Sequence, residues 1–544
     1  MSSTPPGTTI EFSPSNAIQT TSLVGYQSRG HCLIIGPMDL ALEVAARLDT
    51  PAQTVLVPTP GKTDFNKQAT EDGVIVVEAD ALLLKGYLGA FDCAIGDTES
   101  PGSLAMVAGV SLLGGFDLVL DLGDLPMLRQ EVLPFGYMAT GSNEALIDAA
   151  VVELAELQGD FEKPKYFEYD SSICAHSRSS ITACTNCIDV CGTGAITSDG
   201  DGVKIEPYLC QGCGSCATNC PSGAIRYAYP APVDALAQLT ELLKVRQEQD
   251  QATVVYFHDV EAGAERLESI QSSLSEIVLP LAVEEVASVG MDVWFAAIAY
   301  GVRAIAIDAP ALEAGAGRAL KSQCDTANAI LAGLGLEPRI ALMNGADPLE
   351  INEYAGLDYQ FIPVATFKTF NDKRQTIRNA VDHFGLHSQP GADSVELGSD
   401  SPFGQVVVNK DACTLCLACV TVCPASALQD GVTLPQLNLI ESQCLQCGMC
   451  EKACPESAIT LAPRYLYDSE AARKPSVLNE ETPFNCIVCN TPFATHQIIG
   501  RMQAKLADHW MFGSDKALRR LKMCEDCRVK DVFTESESGI DVHK

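Results

Sequence analysis

CTLCLACVTVCP (413–424) and CLQCGMCEKACP (444–455) decide how this chain is read. Each is C-x2-C-x2-C-x3-C-P, the run that ligates a 4Fe-4S cube. Three thiolates at steps of three wrap one loop around a cube, and the fourth, expected to start the next helix, reaches across to the other cube. The expected ligand sets are Cys413, Cys416, Cys419 with Cys454, and Cys444, Cys447, Cys450 with Cys423. Crossed sets of this kind lock two cubes side by side. A pair of four-thiolate zinc sites fits poorly, because C-x2-C-x2-C packs its sulfurs for a cube rather than for one tetrahedral ion.

The segment 174–220 repeats the plan with one departure. Cys210, Cys213, Cys216 and Cys220-Pro221 are complete, but the other half reads Ile181, Cys184, Cys187, Cys191, so one thiolate is missing. Cys174 stands ten residues before Cys184, and the small polar loop AHSRSSITA (175–183) can carry it into the vacancy at little entropic cost, about 0.6 kcal/mol per doubling of loop length. The expected sets are Cys174, Cys184, Cys187 with Cys220, and Cys210, Cys213, Cys216 with Cys191. His176 is the rival for the vacant place; an imidazole there raises the cluster potential. Cys191 is followed by Gly192 instead of proline, which leaves either a backbone donor for a cluster sulfur or a permissive turn.

CGTGAIT (191–197), CPSGAIR (220–226), CPASALQ (423–429) and CPESAIT (454–460) share a small residue, an alanine and an aliphatic residue at fixed offsets, so one unit recurs four times. On these motifs residues 170–230 and 408–465 resemble bacterial dicluster ferredoxin modules. The whole is similar to the polyferredoxin-like 4Fe-4S proteins that accompany large oxidoreductases. A looser resemblance touches 277–308, which is similar in rhythm to the delta-subunit domain of methyl-viologen-reducing hydrogenases. That stretch and the helix after it carry only Cys324, so the resemblance implies docking there and no further cluster.

Cys486, Cys489, Cys524 and Cys527 form two C-x2-C knuckles far apart in sequence. Such pairs suit one tetrahedral zinc, each knuckle giving two thiolates while the insertion folds outside. A fifth iron-sulfur cluster or a single rubredoxin-like iron is the alternative. Cys32, Cys93 and Cys324 stand alone in apolar or helical contexts and read as small buried hydrophobes.

Around the cysteines lies α/β alternation. HCLIIG (31–36), TVLVP (54–58), VIVVEA (74–79) and FDLVLDL (116–122) read as strands, with helices over 39–48 and 143–157. ATVVYF (252–257), VRAIAID (302–308) and RIALM (339–343) read as strands of a second unit, with a helix over 320–334. The expected fold is a multidomain α/β plus α+β chain: a flexible tail over 1–28, an α/β domain over 29–165, a first dicluster 4Fe-4S module over 166–230, and a second α/β domain over 231–365. A linker over 366–405, a second dicluster module over 406–465 and a zinc-ribbon-like module over 480–532 complete it.

Composition narrows the function. The 544 residues carry 36 Lys and Arg against 70 Asp and Glu, a net charge of −34, which repels phosphate backbones and anionic lipid surfaces. No apolar run is long enough to span a membrane. The start, MSSTPPGTTIEFSPSN, has no basic flank or apolar stretch, so a cytoplasmic location is expected, where thiols serve metals rather than disulfides.

The turn Gly36-Pro37-Met38 lacks the glycine spacing that wraps a pyrophosphate. Four cubes and one zinc imply a relay between a two-electron oxidoreductase, of formate-dehydrogenase or hydrogenase type, and a one-electron acceptor such as a small ferredoxin. Recognisable substrate-site residues are lacking, so an electron carrier is expected rather than an independent catalyst. The alternatives are a flavin- or NAD(P)H-dependent reductase with its cofactor in the N-terminal α/β domain, and a redox-sensing assembly factor.

Overall fold

The computed structural model describes residues 10–11, 22–110, 114–248, 251–309, 315–345, 347–368, 372–432, 434–507 and 509–537. It is a mixed α/β chain of several units. His31–Ile35 lies inside a six-stranded sheet between Leu118–Asp121 and Ala52–Pro58, with Tyr137–Ala139 at one edge and Ile75–Ala79 then Asn66–Ala69 at the other. All pairings are parallel except the last. Apolar residues point to both faces because both are covered, as expected of a buried parallel sheet. The Glu144–Glu156 helix begins where Asn143 accepts from the amides of Ala145 and Leu146.

The second sheet is parallel throughout, in the order Ile10–Glu11, Val278–Val283, Val254–Asp259, Ala304–Asp308, Ile340–Met343. Against it lies Met291–Ala299, whose sequence MDVWFAAIA is apolar on nearly every side, and Trp294, Phe295 and Ala296 are wholly buried. A helix with no polar face needs cover on both sides.

The second cover comes from a segment expected to be a linker. Within 366–405 the chain forms the Lys373–Leu386 helix, capped by Asp372 accepting from the Gln375 amide, and it buries Ile377, Ala380, Val381 and Phe384. The Phe384 ring meets Phe295 edge to face at 5.7 Å. The polar look of NDKRQ concealed a helical period, because its basic residues face other protein rather than water.

The 1–28 tail is also corrected where it is described. Leu23–Ser28 alternates exposed and buried residues and pairs antiparallel with Gly159–Pro164, burying Val24 and Tyr26. Ile10–Glu11 adds to the edge of the second sheet. The remainder of that tail lies outside the described residues.

The first cysteine-rich module sits between the two α/β units. Tyr208 stacks on Tyr87 with ring centroids 4.4 Å apart, while Thr218 donates to the carbonyl of Ala287 at 3.1 Å. Among the described residues no helix is long and apolar enough to cross a membrane.

Candidate cluster and metal sites

Each cysteine-rich module is built from short antiparallel pairs and one-turn helices. In the second, Gly404–Val408 pairs with Ile459–Leu466, and the helices Ala418–Val422 and Met449–Ala453 pack against each other. In the first, Phe167–Tyr169 pairs with Ile225–Tyr227, closing the module on itself. The fourth cysteine does not start the next helix, as the spacing suggested. Cys220, Cys423 and Cys454 each end the preceding one in an extended conformation, with ψ of 114, 112 and 110°. The proline that follows disfavours the helical region for the residue before it.

Three of the four loops repeat one backbone device. Gly212 and Gly214, Leu415 and Leu417, and Gln446 and Gly448 occupy the same two loop positions, all with positive φ. Two left-handed residues curl the loop so that its three sulfurs face inward. That leucine and glutamine adopt a conformation costing about 1–2 kcal/mol marks the curl as imposed by the site. The fourth loop departs: Thr185 has φ −122° and Asn186 opens the Asn186–Asp189 helix. The positive φ values appear instead at Ser179 and Ser180.

The crossing read from the spacing is what the structure brings together. Cys413, Cys416, Cys419 and Cys454 line one small cavity with Leu415, Leu437 and Ile459. Cys423, Cys444, Cys447 and Cys450 line another. In the first module, Cys187 interacts with Cys220, Cys184 and Cys174, and Cys216 with Cys213, Cys210 and Cys191 ahead of Cys187 of the other set.

His176 is spoken for. Its Nδ1 is 2.8 Å from the Cys184 carbonyl and its Nε2 2.7 Å from Ser198 Oγ, in a buried position. With both nitrogens engaged it braces the loop that carries Cys174 and Cys184.

Burial pushes the thiols of Cys184, Cys187 and Cys419 up to about 12 and that of Cys447 up to about 11, neighbouring cysteines adding to the shift. Thiols this reluctant to ionise become thiolates only when a cation takes the proton's place. Four convergent sulfurs with apolar surroundings fit an iron-sulfur cube.

The two modules touch. Cys184 and Cys220 of the first and Cys447 of the second line one 530 Å³ cavity, and Cys447 is among the neighbours that push the Cys184 thiol up. A cation from each module reaches across the seam: Arg178 donates to the Cys423 carbonyl at 3.1 Å, and Lys452 to the Thr182 carbonyl at 2.8 Å.

At the C-terminus, the sulfurs of Cys486, Cys489, Cys524 and Cys527 all lie within 4.8 Å of one another. Zn–S bonds of about 2.3 Å give tetrahedral S–S edges of ~3.8 Å. A cube interposes an iron between each sulfur and its centre and needs wider spacing, so this group fits one ion. The amides of Val488 and Cys524 point at Cys486 Sγ, at 3.5 and 3.3 Å, fixing that sulfur as an acceptor.

Sequence reasoning missed the cations beside the cysteines. Lys163 donates to the Cys210 carbonyl at 2.6 Å; Lys373 donates to the Cys220 carbonyl at 3.1 Å; Arg374 donates to that of Cys444 at 2.8 Å. Gly36 has a packing reason: a Cβ there would stand 2.8 Å from Leu122 Cβ. Gly192 likewise gives room to Glu131 and Val132, and its carbonyl accepts from the Val132 amide at 3.0 Å.

Comparison with known proteins agrees with this geometry. Residues 412–459 match a family described as 4Fe-4S dicluster domain, and residues 181–224 match a second family of the same description. Two segments of the chain therefore match 4Fe-4S dicluster ferredoxin-type domains. Among curated proteins it is similar to hydrogenase-4 component A of Escherichia coli (strain K12), 32% identical over 105 residues, 18% of this chain and 48% of that protein. The chain spans about half the length of that relative.

Proposed function

We propose that this protein is an electron relay holding four 4Fe-4S clusters, ligated by the four crossed cysteine sets with Cys174 as the unconventional first ligand. A bound cube takes up and gives back one electron. The chain's own residues converge the sulfurs, give the Cys413 site an apolar lining of Leu415, Leu437 and Ile459, and press the two modules together. The observation that carries the reading is the shared cavity of Cys184, Cys220 and Cys447. It supports one row: the Cys191 set, the Cys174 set, the Cys423 set and the Cys413 set, entered at one end and left at the other.

The partner is proposed to be a redox enzyme of hydrogenase type, on the likeness to hydrogenase-4 component A. The C-terminal cysteines are proposed to hold one structural zinc, on the sulfur spacing. Iron, sulfide and zinc analysis of anaerobically purified protein, with paramagnetic resonance after reduction, tests both. About sixteen irons and one zinc are expected; about eight irons, or magnetic isolation of the two modules, overturns the row.

A further inference from the structure

Arg374, the second residue of the Lys373–Leu386 helix, stands in the seam between the modules. Its Nη1 donates to the carbonyls of Pro221 at 3.2 Å and Pro402 at 3.0 Å, and its Nη2 to those of Ser442 at 3.4 Å and Cys444 at 2.8 Å. The guanidinium lies over the Phe403 ring, 4.8 Å from its centroid. Pro221 follows Cys220, of the set completed by Cys174; Cys444 belongs to the neighbouring set. One side chain thus touches the backbone of both inner sites.

All four acceptors are neutral carbonyls, so these bonds satisfy the donors without cancelling the charge. An arginine side chain stays protonated at neutral pH, and the charges beside this one include Arg378 and Asp372. Three other cations near the sites differ. Lys373 gives its donors to the carbonyls of Ala217, Thr218 and Cys220 and faces partly buried Asp292, which offsets it. Arg501, which donates to the carbonyl of Ala412 beside Cys413, is ion-paired with Glu456. Lys163 serves the Cys210 site alone.

We propose that Arg374 is a shared positioning residue that raises the reduction potentials of the two inner clusters together. The proposal rests on the four-cluster reading. Reduction makes a cluster more negative, and a fixed positive charge in a low-dielectric seam favours that state. A cation touching both sites favours it at both, which keeps neighbours in a relay level with each other. Its partner Arg378 donates to the carbonyl of Ser442 alone and so acts on the second module's inner site.

Potentiometric titration followed by paramagnetic resonance, with iron analysis on the same samples, tests this in the full-length protein. Arg374→Gln is expected to keep its iron and to lower two of the four clusters, each by at least a tenfold fall in reduced-to-oxidised ratio at fixed potential, which is 59 mV for a one-electron couple. Arg374→Lys, which keeps the charge, is expected to shift neither by more than threefold. Arg378→Gln is expected to lower one cluster only, and Arg374→Met, which keeps the stem beside the Phe403 ring, carries the two-cluster test if Arg374→Gln fails to load iron. Unchanged potentials at full iron content, or a single shifted cluster in Arg374→Gln, overturn the proposal and leave the relay intact. Fewer than four clusters in the unaltered protein overturns the relay itself.

Discussion

Arg178 donates to the backbone carbonyl of Cys423 across 245 positions of sequence, and the residue that pairs with it in its hairpin is Ile181. Ile181 is the very position where the other three loops carry their first cysteine. The lost thiolate and the seam between modules are thus one structural event. Ser177–Arg178 and Ile181–Thr182 form a two-residue hairpin, and Ser179 and Ser180 take the positive φ values such a tight turn requires. The hairpin lifts Arg178 to the second module, and the supply of a sulfur falls to Cys174. Arg178→Ala is expected to keep all iron while removing a charge-assisted bond worth about 1.5–3 kcal/mol, less its partial exposure. Denaturation followed by cluster absorbance is then expected to split into two transitions; one unchanged transition refutes the role.

Cys174 and His176 separate by iron content. Cys174→Ser is expected to lose up to one cluster, about four irons of sixteen. His176→Ala is expected to keep its iron yet lose stability, about 1–3 kcal/mol for two broken bonds at a buried ring. Full iron in Cys174→Ser, with loss in His176→Ala, reverses the assignment.

Most inner strands of both sheets and the cysteine spacing were legible because their signals are local: β-branched runs and a three-residue cysteine step survive without tertiary information, whereas Val278–Val283, though buried throughout, was not read as a strand. The Lys373–Leu386 helix was not legible. Its cap and first turn read DKRQ (372–375), polar by composition, and only the carbonyl-lined seam shows why Lys373 and Arg374 turn inward. Leu23–Ser28 escaped notice because one edge strand with a glycine in it gives too short an alternation. Leu415 and Leu417 hide their left-handed geometry entirely, since leucine seldom adopts it, and the equivalent Gly212 and Gly214 were the available hint.

The C-terminal group predicts a metal dependence separate from iron. Cys489→Ser is expected to lower zinc from about one per chain to under ~0.2 while iron stays constant, because a three-thiolate site loses its closed tetrahedron. Mass-spectrometric metal analysis checks it. Iron at this site in place of zinc in the unaltered protein refutes the zinc assignment.

His258 gives an acid-side dependence away from any cysteine. Burial lowers its pKa from 6.5, against the opposing pull of the Asp259 carbonyl and the charges of Asp259 and Asp308, with Arg266 adding to the lowering. The folded chain therefore binds this proton less readily than the unfolded chain. Stability contributed here is whole above 6.5 and declines as pH falls below it toward the folded value. His258→Asn is expected to show a smaller drop in Tm between pH 7.5 and 5.5 than the unaltered protein; equal drops refute the role.

Gly214 and Gly448 form a matched pair that weighs backbone strain against packing. Their φ values are 77 and 78°, at equivalent positions of two cysteine loops. A Cβ on Gly448 meets nothing within 4 Å, whereas one on Gly214 would stand 2.4 Å from Ser288 Cα and 2.9 Å from its amide nitrogen. Alanine at either position carries the left-handed penalty of about 1–2 kcal/mol. Only at 214 must the backbone of the second α/β unit also withdraw from the first module. Gly448→Ala is therefore expected to lose little stability and keep its iron. Gly214→Ala is expected to lose more than twice as much and to loosen the contact of Thr218 with Ala287, seen as faster hydrogen exchange over 286–290. Equal losses in the two variants refute the close approach at Ser288.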